Sequence, residues 1–349
     1  MHGRAKTPAT VREVAAKAGV SAMTVSRVIN GRTGVGAETR QRVQKAISEL
    51  DYNPNRIARG LISNKTNTVG LIVPDVSNPF FAPLLKGAET AARRAGYRLL
   101  VCNSEGDLRL EREYVEDLVS HRVEGLLIAP ANDHSKASLR PLLDAGFPLA
   151  LVDRAIPGLD CDLVQSDNTA GARRLTEHLI NIGHRRIAHV TEFDDVSTGR
   201  ERLLGYREAL KSAGIPFEQD LLFRTTVDRI GGYRATQEML SLDRLPTAIF
   251  TVNNMTAVGA VQALRERGMT VPKDICLVCF DEIEHLAVLS PFLTVIDQPA
   301  ETFGRLGAEL LLERIAGRAT ERSRRVVLPT NLIVRESCGK YSGVPSRGT

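Results

Sequence analysis

The chain has 349 residues and few groupings that could do covalent chemistry. Cys276 and Cys279 form a CxxC, a spacing that zinc and redox sites use. They lie inside the apolar run Ile275–Phe280. With no second pair and no histidine at metal spacing, they read as core thiols. His121, His184 and His189 stand apart from one another. His184, at the start of a strand, reads as a surface or turn residue. Glu282, Glu284 and His285 put acid and base side by side, but at a strand exit, where solvation accounts for them. The chain has no P-loop, no GxSxG and no HExxH. The expectation is therefore a protein that is not an enzyme and needs no cofactor or metal.

The groups that could bind are better ordered. From Thr10 to Gly31 the sequence reads TVREVAAKAGVSAMTVSRVING. Thr10 followed three residues later by Glu13 is a capping box. Val11, Val14, Ala15 and Ala18 form one apolar stripe at helical spacing. Gly19 ends that helix, and Ser21 caps the next. In the second helix Val25, Val28 and Ile29 share one side. Met23 and Arg27 lie nearly opposite, with Ala22 and Ser26 on the flanks. A small buried face with small, polar and cationic groups outward is the arrangement of a helix-turn-helix, whose second helix enters the DNA major groove. The glycines of GRTGVG read as a turn, and Val43, Ala46, Ile47 and Leu50 give a third helix from about Ala37 to Leu50. After Asn53 and Pro54, residues 54–62 can form barely two helical turns carrying Arg56 and Arg59. Such an element folds only against a partner.

Charge supports a nucleic-acid role for this head. Residues 1–65 hold 12 Lys and Arg against 4 Asp and Glu, a net +8, while the remainder holds 34 against 37, a net −3. Phosphate attraction explains such a division. Five scattered cysteines suit a reducing compartment. No apolar run reaches membrane-spanning length, and no secretory signal follows the basic start. These features imply a cytoplasmic protein with no membrane partner.

From Thr68 onward, apolar runs of strand length alternate with helical stretches: TVGLIVPD, YRLLVCN, VEGLLIAPA and FPLALVD, then RRIAHVTE, LLFRTTV, TAIFTVN and ICLVCFDE. Two such series imply two doubly wound parallel-sheet lobes. Ligands of such sheets sit beyond the carboxyl ends of the strands, so facing lobes make a cleft there. LTVIDQP and VVLPTNLIVRES read as late strands returning across both lobes. The expected organisation is a helix-turn-helix head over 1–52, a hinge helix and linker over 53–66, and an effector-binding, dimerising core over 67–339. Within the core, an N-lobe covers about 67–167 and 298–328, and a C-lobe about 168–297 and 329–339. A polar tail over 340–349 is expected to be disordered.

The runs VREVAAKAGVSAMTVSRVIN, YNPNRIARGL, TVGLIVPDVSNPFF, GHRRIAHVTE, ERLLGYREAL, VNNMTAVGAVQAL, FDEIEHLAVLSPFLTVIDQP and LIVRES together resemble the LacI-type regulators, the lactose and ribose repressor family. The resemblance spans about residues 8–339. It implies an N-terminal all-α helix-turn-helix domain joined to an α/β two-lobed core like periplasmic sugar-binding proteins. It also implies a homodimer on a near-palindromic double-stranded operator, controlled by a small sugar, sugar acid or sugar phosphate, with repression the usual mode. The resemblance puts DNA contacts at Thr10, Ser21, Ala22, Met23, Thr24, Ser26, Arg27 and Asn30. Ser21, Thr24, Ser26 and the region of Asn30 meet phosphate; Ala22, Met23 and Arg27 read bases. Arg27 can give two parallel hydrogen bonds to a guanine edge, and Ala22 and Met23 offer apolar contacts only. On the hinge helix, Leu61 would be the wedge that kinks the minor groove, with Asn55 and Ala58 beside it.

For the effector, the resemblance points to Asp75, Asn78, Phe80 and Phe81 in one lobe, Arg202, Asn253, Phe280 and Asp281 in the other, and Asp153 at the end of LALVD. Acids, amides and arginine can engage neighbouring hydroxyls, and aromatic rings can cover the C–H side of a sugar. Arg202, just before the LLGYREAL helix, can instead pair with Asp281. Asn253-Asn254 replaces the Asn-Asp common in the family, which removes a negative charge and favours an acidic or phosphorylated ligand. Two other readings share the core. A secreted solute-binding protein would need an export signal and leave the basic head without a role. A sugar-modifying enzyme would need a catalytic constellation that the motifs do not supply.

Overall fold

The computed structural model describes residues 9–29, 33–52, 66–283, 292–319 and 322–339. The chain divides after Thr66 into a head and a core. In the head, three helices, α1 (Val11–Ala18), α2 (Ala22–Ile29) and α3 (Ala37–Glu49), close around Val14, Ala15, Ala18, Val25, Val28, Val43 and Ala46. The capping box forms: the Thr10 backbone N–H donates to Glu13 Oε2 at 2.6 Å, and Glu13 N–H donates to Thr10 Oγ1 at 3.3 Å. Gly19 takes the left-handed conformation with φ 63°, which lets the chain reverse between α1 and α2. Ser21 Oγ accepts from Thr24 N at 3.1 Å and starts α2.

The core holds two six-stranded sheets. The first has the order β11-β5-β4-β3-β1-β2, built from Thr68–Val73 (β1), Arg98–Asn103 (β2), Leu126–Ile128 (β3), Leu149–Val152 (β4), Asp162–Ser166 (β5) and Arg325–Leu328 (β11). The second has the order β12-β10-β9-β8-β6-β7, from Ile187–Thr191 (β6), Leu222–Arg224 (β7), Ala248–Thr251 (β8), Cys276–Phe280 (β9), Thr294–Asp297 (β10) and Asn331–Ile333 (β12). The first sheet is parallel throughout. In the second, one edge pair, β10 with β12, is antiparallel. Topology explains the exception. β11 runs towards the cleft like its neighbours, and only Pro329 and Thr330 separate it from β12. The chain thus enters the second sheet at its carboxyl edge and must run against it.

β5, which the sequence reading passed over, is buried between β4 and β11. Its polar residues break the apolar run. Asp162 is fully buried there and takes Arg314 and Arg324, each at 2.8 Å. Helices cover the sheets, and glycines let them approach closely. A Cβ on Gly304 would lie 1.8 Å from Leu84 O, and one on Gly87 would lie 2.0 Å from Glu301 O, so Phe81–Arg94 and Ala300–Ile315 touch backbone to backbone. Among the described residues no helix is long and apolar enough to cross a membrane.

Candidate functional site

Two surfaces carry the expected binding residues. On α2, Ser21, Ala22, Met23, Ser26 and Arg27 are exposed while Val25 and Val28 face the head's core. Met23 is 68% exposed, so its thioether is held outward on the face that Arg27 also occupies. Thr24 is half-buried and shares a 2.9 Å hydroxyl hydrogen bond with Ser21. Thr10 sits at the exposed start of α1. A short helix that presents hydroxyls at its start and a guanidinium one turn on, over an apolar base, can enter a groove and meet both phosphates and base edges. Asn30, Asn55, Ala58 and Leu61, and with them the proposed hinge helix, lie outside the described residues.

The second surface is a cleft at the carboxyl ends of the strands. Asn78, Phe80, Phe81, Asp153 and Arg154 of one lobe face Glu192, Thr198, Arg202, Asn253 and Asp281 of the other across a cavity of about 20 Å³. Asp153 follows β4 and Asp281 follows β9, and both take left-handed backbone, φ 68° and 72°. Each keeps its N–H on the next strand, Asp153 on Val164 O at 2.8 Å and Asp281 on Ile296 O at 2.9 Å. The strained conformation tips each carboxylate off the sheet end and into the cleft, at a cost of about 1 kcal/mol or more. Asp and Asn bear that conformation more readily than other residues.

Arg202 lies within the helix Ser197–Ser212, which begins earlier than its sequence suggested. It donates to Asn168 Oδ1 at 3.0 Å and Val252 O at 2.7 Å, stands 3.9 Å from Asp281, and stacks its guanidinium 3.8 Å over the Phe280 ring. Gln298 donates to the other oxygen of Asp281. Arg154 donates to Pro130 O and Ala131 O at 3.1 and 3.0 Å. Its Nε, 3.6 Å from Asp153, has no hydrogen-bond partner. Burial pushes the Asp153 carboxyl up to about 6, with Asp281 and Glu192 reinforcing the shift and Arg154 and Arg202 opposing it. Burial also raises Asp281, against Arg202 and Gln298.

The cleft gathers Asn78, Phe80, Phe81, Asp153, Arg202, Asn253 and Asp281 from the sequence-based set. Two are placed otherwise. Phe280 is fully buried beneath Arg202, so its ring offers no face to a ligand. Asp75 accepts from Ser77 N and Oγ at 2.8 and 2.7 Å and shapes the turn before Asn78. Asn253 is also a helix cap, accepting from Thr256 N and donating to Val227 O. Arg154, Glu192 and Thr198 were missed. Glu192 ends RRIAHVTE as Asp153 ends LALVD, and the strand-end rule that selects one selects the other.

Cys276 and Cys279 are buried core thiols, as read, and all five cysteines are free. Among the described residues no cluster of metal-ligating side chains occurs. His184 is not at the surface. It is fully buried and bonds Thr247 Oγ1 at 2.9 Å. A larger hollow of about 750 Å³ lies along the helix Asn254–Glu266, against Met269, Phe292 and Leu293. It is mostly apolar, its one strand-exit group, Glu282, is paired with Arg335, and it holds none of the cleft residues named above, so its size does not make it the ligand site.

A groove-reading head joined to a two-lobed binding core defines the class of ligand-responsive, DNA-binding regulators. Comparison with known proteins agrees. The family described as "Bacterial regulatory proteins, lacI family" matches residues 10–55, and "Periplasmic binding proteins and sugar binding domain of LacI family" matches 66–336. The chain is 34% identical over 332 residues to the HTH-type transcriptional repressor PurR of Aliivibrio salmonicida, covering 95% of this chain and 99% of that one. It is 36% identical over 321 residues to the ribose operon repressor of Escherichia coli K12, covering 92% and 97%. The solved lac repressor dimer bound to operator and the anti-inducer ONPF matches with a TM-score of 0.82 at 28% identity, covering 95% of this chain and 99% of that one. The chain belongs to the LacI family of bacterial regulatory proteins. It is a sequence-specific DNA-binding regulator of transcription and not an enzyme.

Proposed function

We propose that this regulator is a cytoplasmic, homodimeric repressor that grips a near-palindromic operator and alters its grip when a sugar, sugar acid or sugar phosphate binds between the core lobes. The observation that carries this is the conjunction of an outward α2 face bearing Met23 and Arg27 with a cleft walled by buried acids, arginines and amides. The related ribose operon repressor and the operator-bound lac repressor support it. In this reading Thr10, Ser21, Thr24, Ser26 and Asn30 meet phosphates, and Ala22, Met23 and Arg27 meet base edges. Leu61, with Asn55 and Ala58, enters the minor groove. Asn78, Asp153, Arg202, Asn253 and Asp281 hold hydroxyls, joined by Arg154, Glu192 and Thr198, with Phe80 and Phe81 against the ring.

A cavity of about 20 Å³ admits about one water. An effector that binds one lobe arrangement better than another biases the spacing of the heads in the dimer by that differential affinity. The test is footprinting on promoter fragments with and without added sugars. A protected palindrome that responds to one compound, with affinity falling steeply in salt, is expected. Asp281→Ala should abolish the response and keep the footprint. Equal binding to random DNA would defeat the proposal.

A further inference from the structure

Five ionisable groups converge in the cleft: the carboxylates of Asp153, Glu192 and Asp281 and the guanidinia of Arg154 and Arg202. All five are more than nine-tenths buried. The carboxylates outnumber the guanidinia by one, and the surplus is traceable. Arg202 stands against Asp281, and Arg154 against Asp153. Glu192 has to share its cation with Asp153, which Arg154 Nε approaches to 3.6 Å. Arg154 Nη2 is 4.0 Å away, and Thr198 Oγ1 gives only long hydrogen bonds of 3.3 and 3.4 Å. The position is nonetheless built to hold this side chain. A Cβ on Gly199 would lie 2.7 Å from Glu192 Cβ, 3.3 Å from its Cγ and 3.4 Å from its Oε2, so glycine at 199 leaves the room that this side chain fills. Asn254, whose amide promised a less acidic cleft, is not in the lining and donates to Glu282 O at 3.3 Å.

We propose that Glu192 sets the charge of the effector, so that the cleft takes a polyhydroxy compound without negative charge and rejects the matching sugar acid or sugar phosphate. This rests on the reading of the cleft as the effector site and narrows it. The strongest partner this lining could give an anion is a guanidinium fork, but Arg202 is engaged with a carbonyl and an amide and Arg154 Nη1 with two carbonyls, which leaves the single Arg154 Nε unpartnered and no free two-pronged donor. It would also enter a site of low dielectric that already carries surplus negative charge, where like charges repel far more than in water. Hydroxyls meet the opposite situation. Carboxylates only accept hydrogen bonds, so the surplus acid becomes a charge-assisted acceptor for an O–H donor, and the unpartnered Arg154 Nε can donate to a hydroxyl or ring oxygen.

The experiment measures binding of matched pairs to the full-length protein at neutral pH by calorimetry, with operator binding followed in parallel. The pairs are D-ribose with ribose 5-phosphate, D-glucose with glucose 6-phosphate and with glucuronate, and cellobiose with cellobionate. For whichever pair binds, the neutral member should bind tighter by on the order of tenfold or more. Glu192→Gln should narrow that gap by on the order of tenfold, with affinity for the anion rising by more than the neutral sugar loses with its charge-assisted acceptor. Equal or tighter anion binding by the unaltered protein overturns the inference alone, and that ratio decides even if the variant fails to fold. A ratio unchanged by Glu192→Gln also overturns it. If no compound binds or alters operator affinity, the cleft reading falls and this inference with it.

Discussion

Replacing Asp153 by asparagine should stabilise the core while blunting its response to effector. The carboxyl is 6% exposed, and burial, with Asp281 and Glu192 nearby, pushes it from 3.8 up to about 6. A shift of about 2 units at about 1.36 kcal/mol each makes ionised Asp153 a burden of about 3 kcal/mol on the folded state at neutral pH. The folded value lies above the unfolded one. The burden is therefore absent below about pH 4, grows as pH rises through about 6, and is full above that. Asparagine keeps the shape and tolerates the left-handed backbone at φ 68°. The variant should exceed the parent by about 2–3 kcal/mol near pH 7.5, with the gap closing towards pH 4. Comparing the two proteins cancels His184 and His189, which burial pushes down to about 4 and whose contribution has the opposite sense, being lost as pH falls from 6.5 through 4. The chain has no tryptophan, so urea midpoints are best followed by circular dichroism. A variant no more stable than the parent near pH 7.5, or a gap that persists at pH 4, would refute the electrostatic account of the cleft.

Arg27→Ala should weaken operator binding by about 1–3 kcal/mol and relax preference at one base pair of each half-site, with calorimetric effector binding unchanged. Gly304→Ala should lower core stability by about 1–3 kcal/mol, because the added Cβ would sit 1.8 Å from Leu84 O and force two helices apart. Thermal denaturation checks this, and an unchanged midpoint would mean that the contact yields freely.

The head was legible in the sequence because its signals are local. A capping box, a glycine stop and an apolar stripe at helical spacing need no tertiary partner to be recognised. The α/β alternation of the core was legible for the same reason. β5 was not, since Asp162, Gln165 and Ser166 are polar yet buried, made tolerable by arginines distant in sequence and by neighbouring strands. His184 misled in the same way: a turn at Gly183 suggests solvent, but Thr247, far along the chain, receives the imidazole. In the cleft, strand ends pointed to Asp153 and Asp281, but which way Phe280 faces depends on the packing of Gly171 against its ring. Residue type can mark a wall of the site; only the packing distinguishes its inner side from its outer.

The two-residue step from β11 to β12 has a consequence for how this protein is made. One outer strand of each lobe comes from the same short stretch, downstream of every other strand, so neither sheet gains its last strand until all the others have been made. Until then both nascent sheets present a bare edge, the kind of surface that invites pairing with other chains. A premature stop ahead of Arg325 would leave both sheets a strand short, whereas one between Leu328 and Asn331 would spare the first and leave only the second unfinished.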